Sequence, residues 1–256
     1  MGRPRVRRSW VREVAALGAL YVAYESVRLA VQGDRQPALA RGERVLAAER
    51  GWHIAVDPWL NGYVTARPVL AVPACFAYAS LHDLVTLGVL VWLWRRRPWA
   101  YPAARAALVV ATLLGLVGFW LAPVAPPRML PGFTDTMLAY GDYGWWGSAP
   151  SAPHGLGHLT NQFAAMPSLH VGWAAWCGWQ LARLGRRWWT RALGAGYPVL
   201  IVVVVVGTAN HFVLDAVAGL AVLAAGLLCA RVLPAPRTIA GPVTTQGFLA
   251  TPPRTR

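Results

Sequence analysis

Long apolar stretches alternate along this chain with short runs rich in arginine. Residues 14–31, 69–94, 103–122, 167–184, 192–209 and 211–233 are each largely apolar. A helix rises 1.5 Å per residue, so about 20 residues cross a hydrocarbon core of about 30 Å. The pattern predicts an all-α polytopic membrane protein with six transmembrane helices. Residues 32–67 are mixed in charge, and Trp52, Trp59 and Tyr63 are spaced as in a helix lying in the headgroup layer, so an interfacial helical segment is expected between the first two spans. Residues 123–166 are broken by Gly132, Gly141, Gly144, Pro150, Pro153 and Gly155, which predicts a long outer loop between spans three and four. Residues 1–240 are read as one integral domain and 241–256 as a disordered cytoplasmic tail.

Composition supports the membrane reading: 56% of residues are hydrophobic, 13% are charged, and mean hydropathy is +0.41. The net charge of +14 comes entirely from arginine, since all 24 basic residues are Arg. They fall between apolar segments instead of forming one aromatic-laced patch, so no nucleic-acid partner is expected. With six spans, 17 of the 24 arginines lie on the side that holds both termini. The excess of Arg on cytoplasmic loops then places both termini in the cytoplasm of a multi-pass cell-membrane protein. Arg3, Arg5, Arg7 and Arg8 precede the first apolar run as in a signal peptide, but Ala38-Leu39-Ala40 lies too far beyond it for a cleavage site. A retained first helix is expected. Glu25 and Arg28, near its end, read as an interfacial pair. Cys75, Cys177 and Cys229 sit in apolar stretches without paired spacing, so neither a disulfide framework nor a zinc site is expected.

The candidate chemistry sits at two helix starts. Met166-Pro167-Ser168-Leu169-His170 opens span four, where free N–H groups, the Ser168 hydroxyl and the helix dipole favour an anion such as phosphate. Asn210-His211-Phe212-Val213-Leu214-Asp215 opens span six, and His211 and Asp215 at i and i+4 share a face. A carboxylate there can hold one imidazole nitrogen and leave the other free to act. Arg128 is the one Arg of the long loop, a planar donor fork suited to phosphate oxygens. His82 and Asp83 lie mid-span and, with Asn210, are candidates for the substrate cavity; an interhelical hydrogen bond is the plainer alternative for His82 and Asp83. His154 and His158 have the spacing of a metal pair, but Gly155 and Gly157 oppose a helix there, and no metal is expected.

The Pro167-Ser168-Leu169-His170 and His211-x-x-x-Asp215 elements, after Pro126-Pro127-Arg128, resemble the type 2 phosphatidic acid phosphatase superfamily, related to lipid phosphate phosphatases and vanadium haloperoxidases. They are most similar to its inositol phosphorylceramide synthase-like branch, and the likeness covers roughly residues 120–220. It implies a metal-independent, cofactor-free phosphoryl transfer through a phosphohistidine, with His211, His170 and Asp215 catalytic and Arg128, Ser168 and Leu169 binding phosphate. The wider pattern carries Lys-x6-Arg-Pro, Pro-Ser-Gly-His and Ser-Arg-x5-His-x3-Asp. Here Leu121 stands at the Lys, Met129 follows Arg128, Leu169 replaces the Gly, and Val204-Val205 replace Ser-Arg.

The expected substrate is a phospholipid or polyprenyl phosphate in the bilayer, handled at the outer face. Water as acceptor makes a lipid phosphatase. A lipid or polyol hydroxyl makes a headgroup transferase of the inositol phospholipid synthase type, acting on a phosphodiester. Rivals from other classes are a proton-coupled transporter, opposed by the absence of an evident internal repeat, and a non-catalytic membrane scaffold, which leaves the His–Asp spacing unexplained.

Overall fold

The computed structural model describes residues 9–30, 34–146 and 162–232. His154, His158 and the 241–256 tail lie outside the described residues, as do the side chains of Glu25 and Arg28. The described chain is helical, with no β-strand beyond one isolated parallel bridge between Val124 and Ala164. Its helices are α1 (Trp10–Ala30), α2 (Arg35–Gly51), α3 (Asp57–Thr65), α4 (Pro68–Phe76), α5 (His82–Arg96), α6 (Tyr101–Leu121), α7 (Thr136–Ala139), α8 (Leu169–Leu184), α9 (Trp188–Gly207) and α10 (Val213–Val232). A wide π turn, Ala77–Leu81, joins α4 to α5 in one rod.

By length and composition, four stretches are able to cross a membrane: Pro68–Arg96, α6, α9 and α10. The remaining two expected spans do form helices but fall short. Arg12, Glu13, Glu25 and Arg28 interrupt α1, and α8 has only 16 residues because Ser168 caps it and Gly185 ends it. Leu84, Leu87, Leu113, Val117, Val199, Val203, Val217 and Leu220 point away from the bundle. An apolar exterior of this kind suits lipid and not water.

The bundle is held by close approach of α6 to α10 and of α8 to both α9 and α10. Small residues permit it. A Cβ on Gly172 of α8 would stand 3.2 Å from the Gly219 carbonyl oxygen of α10, and one on Gly118 of α6 would stand 2.8 Å from Pro167 Cδ.

Residues 34–66 depart from expectation. α2 and α3 fold over one end of the bundle. Ala125 N–H donates to the Ala38 carbonyl at 3.0 Å, and the Arg41 guanidinium donates to the Pro123 carbonyl at 3.1 Å. Asn61 of α3 is buried and ties three elements together: its Nδ2 lies 3.1 Å from both the Gly207 carbonyl and Thr136 Oγ1, and its Oδ1 accepts from Thr134 N–H at 2.9 Å. Trp52 and Trp59 stay exposed on the outer side of this cover.

Candidate active site

The turn between α9 and α10 is built to present His211. The N–H groups of Asn210 and His211 both donate to the Val205 carbonyl, at 3.0 and 3.1 Å, which closes the end of α9. Ala209 completes the turn at φ 56°, a left-handed conformation that is unusual for a residue with a Cβ. Its carbonyl accepts from Arg128 N–H at 2.9 Å, so the turn is locked to the long loop.

His211 itself is buried, with only 4% exposure. Its Nδ1 is 2.8 Å from the Ala165 carbonyl oxygen and 3.4 Å from Asp215 Oδ2. A carbonyl oxygen only accepts, so Nδ1 carries the proton and Nε2 presents a lone pair. The expected Asp215 contact therefore exists but is the longer of the two. Asp215 Oδ2 also accepts from Phe212 N–H at 2.9 Å.

The start of α8 differs from the expected open anion nest. Pro167 lies one residue before the cap, after a cis Met166–Pro167 bond, and does not occupy the first helical turn. Ser168 is wholly buried; its N–H donates to the Asp215 carbonyl at 2.9 Å and its Oγ accepts from Val171 N–H at 3.4 Å. Leu169 packs its side chain against Gly115, Leu116 and Phe119 of α6. Ser168 and Leu169 thus join α8 to α10 and α6 first, because an apolar bundle satisfies its polar ends internally wherever it can.

His170 is half-buried and surrounded by rings. Tyr78 stacks on it at 4.6 Å between centroids, His82 sits at 4.1 Å, and His211 at 5.5 Å. Tyr78 comes from the wide turn of the α4–α5 rod and His82 from the first position of α5 immediately after it; such an irregularity often marks functional positions. His82 is thereby drawn to the site, whereas Asp83 is half-exposed, its Oδ2 3.4 Å from His82 Nε2.

Arg128 arrives from the loop after α6, in a short 3-10 turn Pro127–Met129. Its NH1 donates to Asn210 Oδ1, and its Nε is 3.6 Å from Asp135 Oδ2 without a hydrogen bond. Asn210 donates in turn to Thr208 Oγ1 at 2.9 Å, so it serves to orient Arg128. Burial pulls the guanidinium down from its ordinary value, and nearby Tyr78 and Asp135 oppose that pull. Leu121, at the family's Lys position, is 68% exposed on the outside of the bundle, and Val205 is buried.

Behind His211 lies a feature that the sequence did not flag. Three successive N–H groups at the start of α10 are each taken by a different carboxylate: Phe212 by Asp215, Val213 by Asp57 at 3.0 Å, and Leu214 by Glu49 at 2.7 Å. All three acids are buried. Burial, followed by a hydrogen bond to Asp57, pushes Glu49 up to about 8, and burial also raises Asp57. A proton held by Glu49 and shared with Asp57 relieves the repulsion among these carboxylates, and the negative charge that remains lies at a helix N-terminus, where the dipole favours it. Because both residues sit in a polar, mixed-charge segment, the sequence carried no signal that they would be buried.

His211 held by one nitrogen, the His170 imidazole 5.5 Å from it and the buried Arg128 guanidinium bonded to the neighbouring Asn210 thus gather at one end of a helical, membrane-type bundle. Residues 43–229 match the PAP2 superfamily, and the chain belongs to that superfamily. Its members are generally phosphatases or phosphotransferases. The chain is also 33% identical over 107 residues to Protein SpdB of Streptomyces lividans, an alignment covering 42% of this chain and 34% of that protein. The match thus spans about a third of the relative's length. No solved structure matches the chain.

Proposed function

We propose that the protein is a metal-independent lipid phosphatase or phosphotransferase that works through a phosphohistidine on His211. The observation that carries this reading is the free Nε2 of His211, with its Nδ1 proton committed to the Ala165 carbonyl. Nε2 attacks phosphorus, and the bond to the departing alkoxide breaks as the N–P bond forms. Asp215 stabilises the positive charge on the imidazole. His170 gives its proton to the leaving oxygen and then takes one from the water or hydroxyl that attacks the phosphohistidine. The unclaimed donors of Arg128 hold the equatorial oxygens as their charge grows. Six spans, both termini in the cytoplasm and an outward-facing site complete the reading, and the substrate is a phospholipid or polyprenyl phosphate.

A second reading, headgroup transfer from a phosphodiester, is favoured by the outward-pointing Leu121 and the buried Val205. Without the two further cations of the family pattern, the site suits the single charge of a diester better than the double charge of a monoester. The likeness of Pro167-Ser168-Leu169-His170 to the inositol phosphorylceramide synthase-like branch points the same way.

The experiment is an incubation of the purified protein, with chelator, on lipid phosphomonoesters and phosphodiesters, with and without polyol acceptors, read by mass spectrometry. Product that vanishes in His211→Ala supports the phosphohistidine enzyme, and the acceptor found in the product separates phosphatase from transferase. Turnover retained in folded His211→Ala removes the proposed nucleophile.

A further inference from the structure

A second polar feature lies at the opposite end of the bundle, where α6 begins and where α8 and α10 end. Crossing the 21 residues of α6 at 1.5 Å each puts it about 30 Å from the candidate active site. A cavity of about 160 Å³ opens there, lined by Trp99, Ala103, Trp179, Gln180, Arg183 and Arg231 among others. Gln180 is only 4% exposed, and its amide, which has no hydrogen-bond partner among the described residues, reaches the cavity it lines. An amide that lines a cavity and is bonded to nothing else in the protein is open to the oxygen of a ligand.

The charges around it are unbalanced. Nearby Arg105 is already paired with Glu13 at 2.7 Å, and Tyr101 donates to the same carboxylate. Arg97 is spent on the Leu184 carbonyl at the end of α8. Arg183 and Arg231 have no acidic partner among the described residues. Arg183 and Arg231 stand in the last turns of α8 and α10, whose negative dipole ends they outweigh with full charges, the first turn of α6 adds a positive end, and Trp99 and Trp179 are exposed at the rim, as tryptophans are at a membrane surface.

We propose that this cavity is a second binding site, separate from the catalytic one, for a phosphate-type anion carried as the headgroup of an anionic membrane lipid. Arg183 and Arg231 pair with the phosphate, the Gln180 amide donates to one of its oxygens, and the tryptophans flank the glycerol region. The size fits a headgroup phosphate and not a whole lipid, whose chains would lie along the apolar exterior of α6 and α10. The site rests on the membrane reading of the fold but not on the catalytic roles of the histidines.

The test uses the full chain in nanodiscs of mixed phosphatidylglycerol and phosphatidylcholine, followed by native mass spectrometry of the lipids retained on release. Wild type is expected to retain phosphatidylglycerol selectively. An Arg183→Gln/Arg231→Gln double variant is expected to lower its affinity about 10- to 30-fold, given two arginines at a membrane surface. Gln180→Leu is expected to weaken retention as well, with the charge unchanged. Arg186→Gln/Arg187→Gln removes the same charge from the neighbouring exposed loop and is expected to leave retention intact, as is His211→Ala. Equal loss in both double variants would show general surface attraction and overturn the proposal, and so would loss confined to His211→Ala. Inorganic phosphate is the second probe: binding of phosphate without selectivity for phosphatidylglycerol would assign the cavity to a free anion and overturn the lipid assignment.

Discussion

His211 is hydrogen-bonded to the Ala165 carbonyl at 2.8 Å, closer than the 3.4 Å that separates the same nitrogen from Asp215. The backbone, then, holds the tautomer, and Asp215 adds charge and caps Phe212. Asp215→Asn keeps a cap acceptor and leaves the Ala165 bond in place. Its kcat is expected to fall by less than the roughly 10⁴-fold loss expected when a carboxylate alone holds the tautomer. His211→Ala is expected to fall to background. Stopped assays on a common lipid substrate compare the two, and equal losses would return the orienting role to Asp215.

His170 is placed by stacking on Tyr78 and by contact with the tilted ring of His82. If it is the acid, His170→Ala should slow substrates with poor leaving groups by about 10²- to 10⁴-fold and good ones much less. Tyr78→Phe preserves the stacked ring and is expected to retain most activity, whereas Tyr78→Leu is not. A leaving-group series on the three variants reads this directly. Uniform slowing by His170→Ala would count against proton donation.

Arg128 is gripped from two sides, by Asn210 and by Asp135. A lysine cannot reproduce that planar fork. Arg128→Lys is expected to lose about 10²- to 10³-fold in kcat, and Asn210→Ala less, since it removes only the support. Steady-state kinetics of both variants check the order.

The acid pair behind α10 makes stability depend on pH. Glu49 has a folded value near 8, above its model-peptide value of 4.5. Between those values the unfolded chain has lost a proton that the folded chain keeps, so stability falls as pH rises through this window and levels off above about 8. Glu49→Gln imitates the protonated acid: it can accept from Leu214 and donate to Asp57. The variant is expected to lack this downward slope and to melt above wild type at pH 8 to 9. Thermal melts in detergent from pH 5 to 9 test it, and parallel curves would count against the shared proton.

Packing at the site is tight enough to be sensitive to one methyl group. A Cβ on Gly219 would run into the Ser168 carbonyl, whose own amide is bound to Asp215. Gly219→Ala is expected to destabilise the fold by about 1–3 kcal/mol and to reduce activity further by displacing α8 from α10. Gly18→Ala and Gly62→Ala meet no atom within 4 Å and serve as controls in the same melts.

Much of the candidate site was legible in the sequence because its signals are local. Runs of apolar residues bounded by arginine announce helices in a bilayer, and helical periodicity alone puts His211 and Asp215 on one face. The motifs at 128, 170 and 211–215 lead to the PAP2 superfamily, and the fold brings Arg128, His170, His211 and Asp215 together. Spacing could not say which partner a polar group takes when several compete. Ser168 spends its amide on Asp215 and its hydroxyl on Val171, and the His211 proton goes to Ala165, 46 positions away. Glu49, Asp57 and Asn61 look solvated in a polar segment, and only the folding of α2 and α3 over the bundle buries them. Tyr78 gave no signal, because one wide helical turn decides which side chains of the α4–α5 rod face His170. Local pattern determined the helices and the chemical inventory; the tertiary structure decided the partners, because hydrogen bonds and burial are settled by what approaches from distant segments and not by neighbours along the chain.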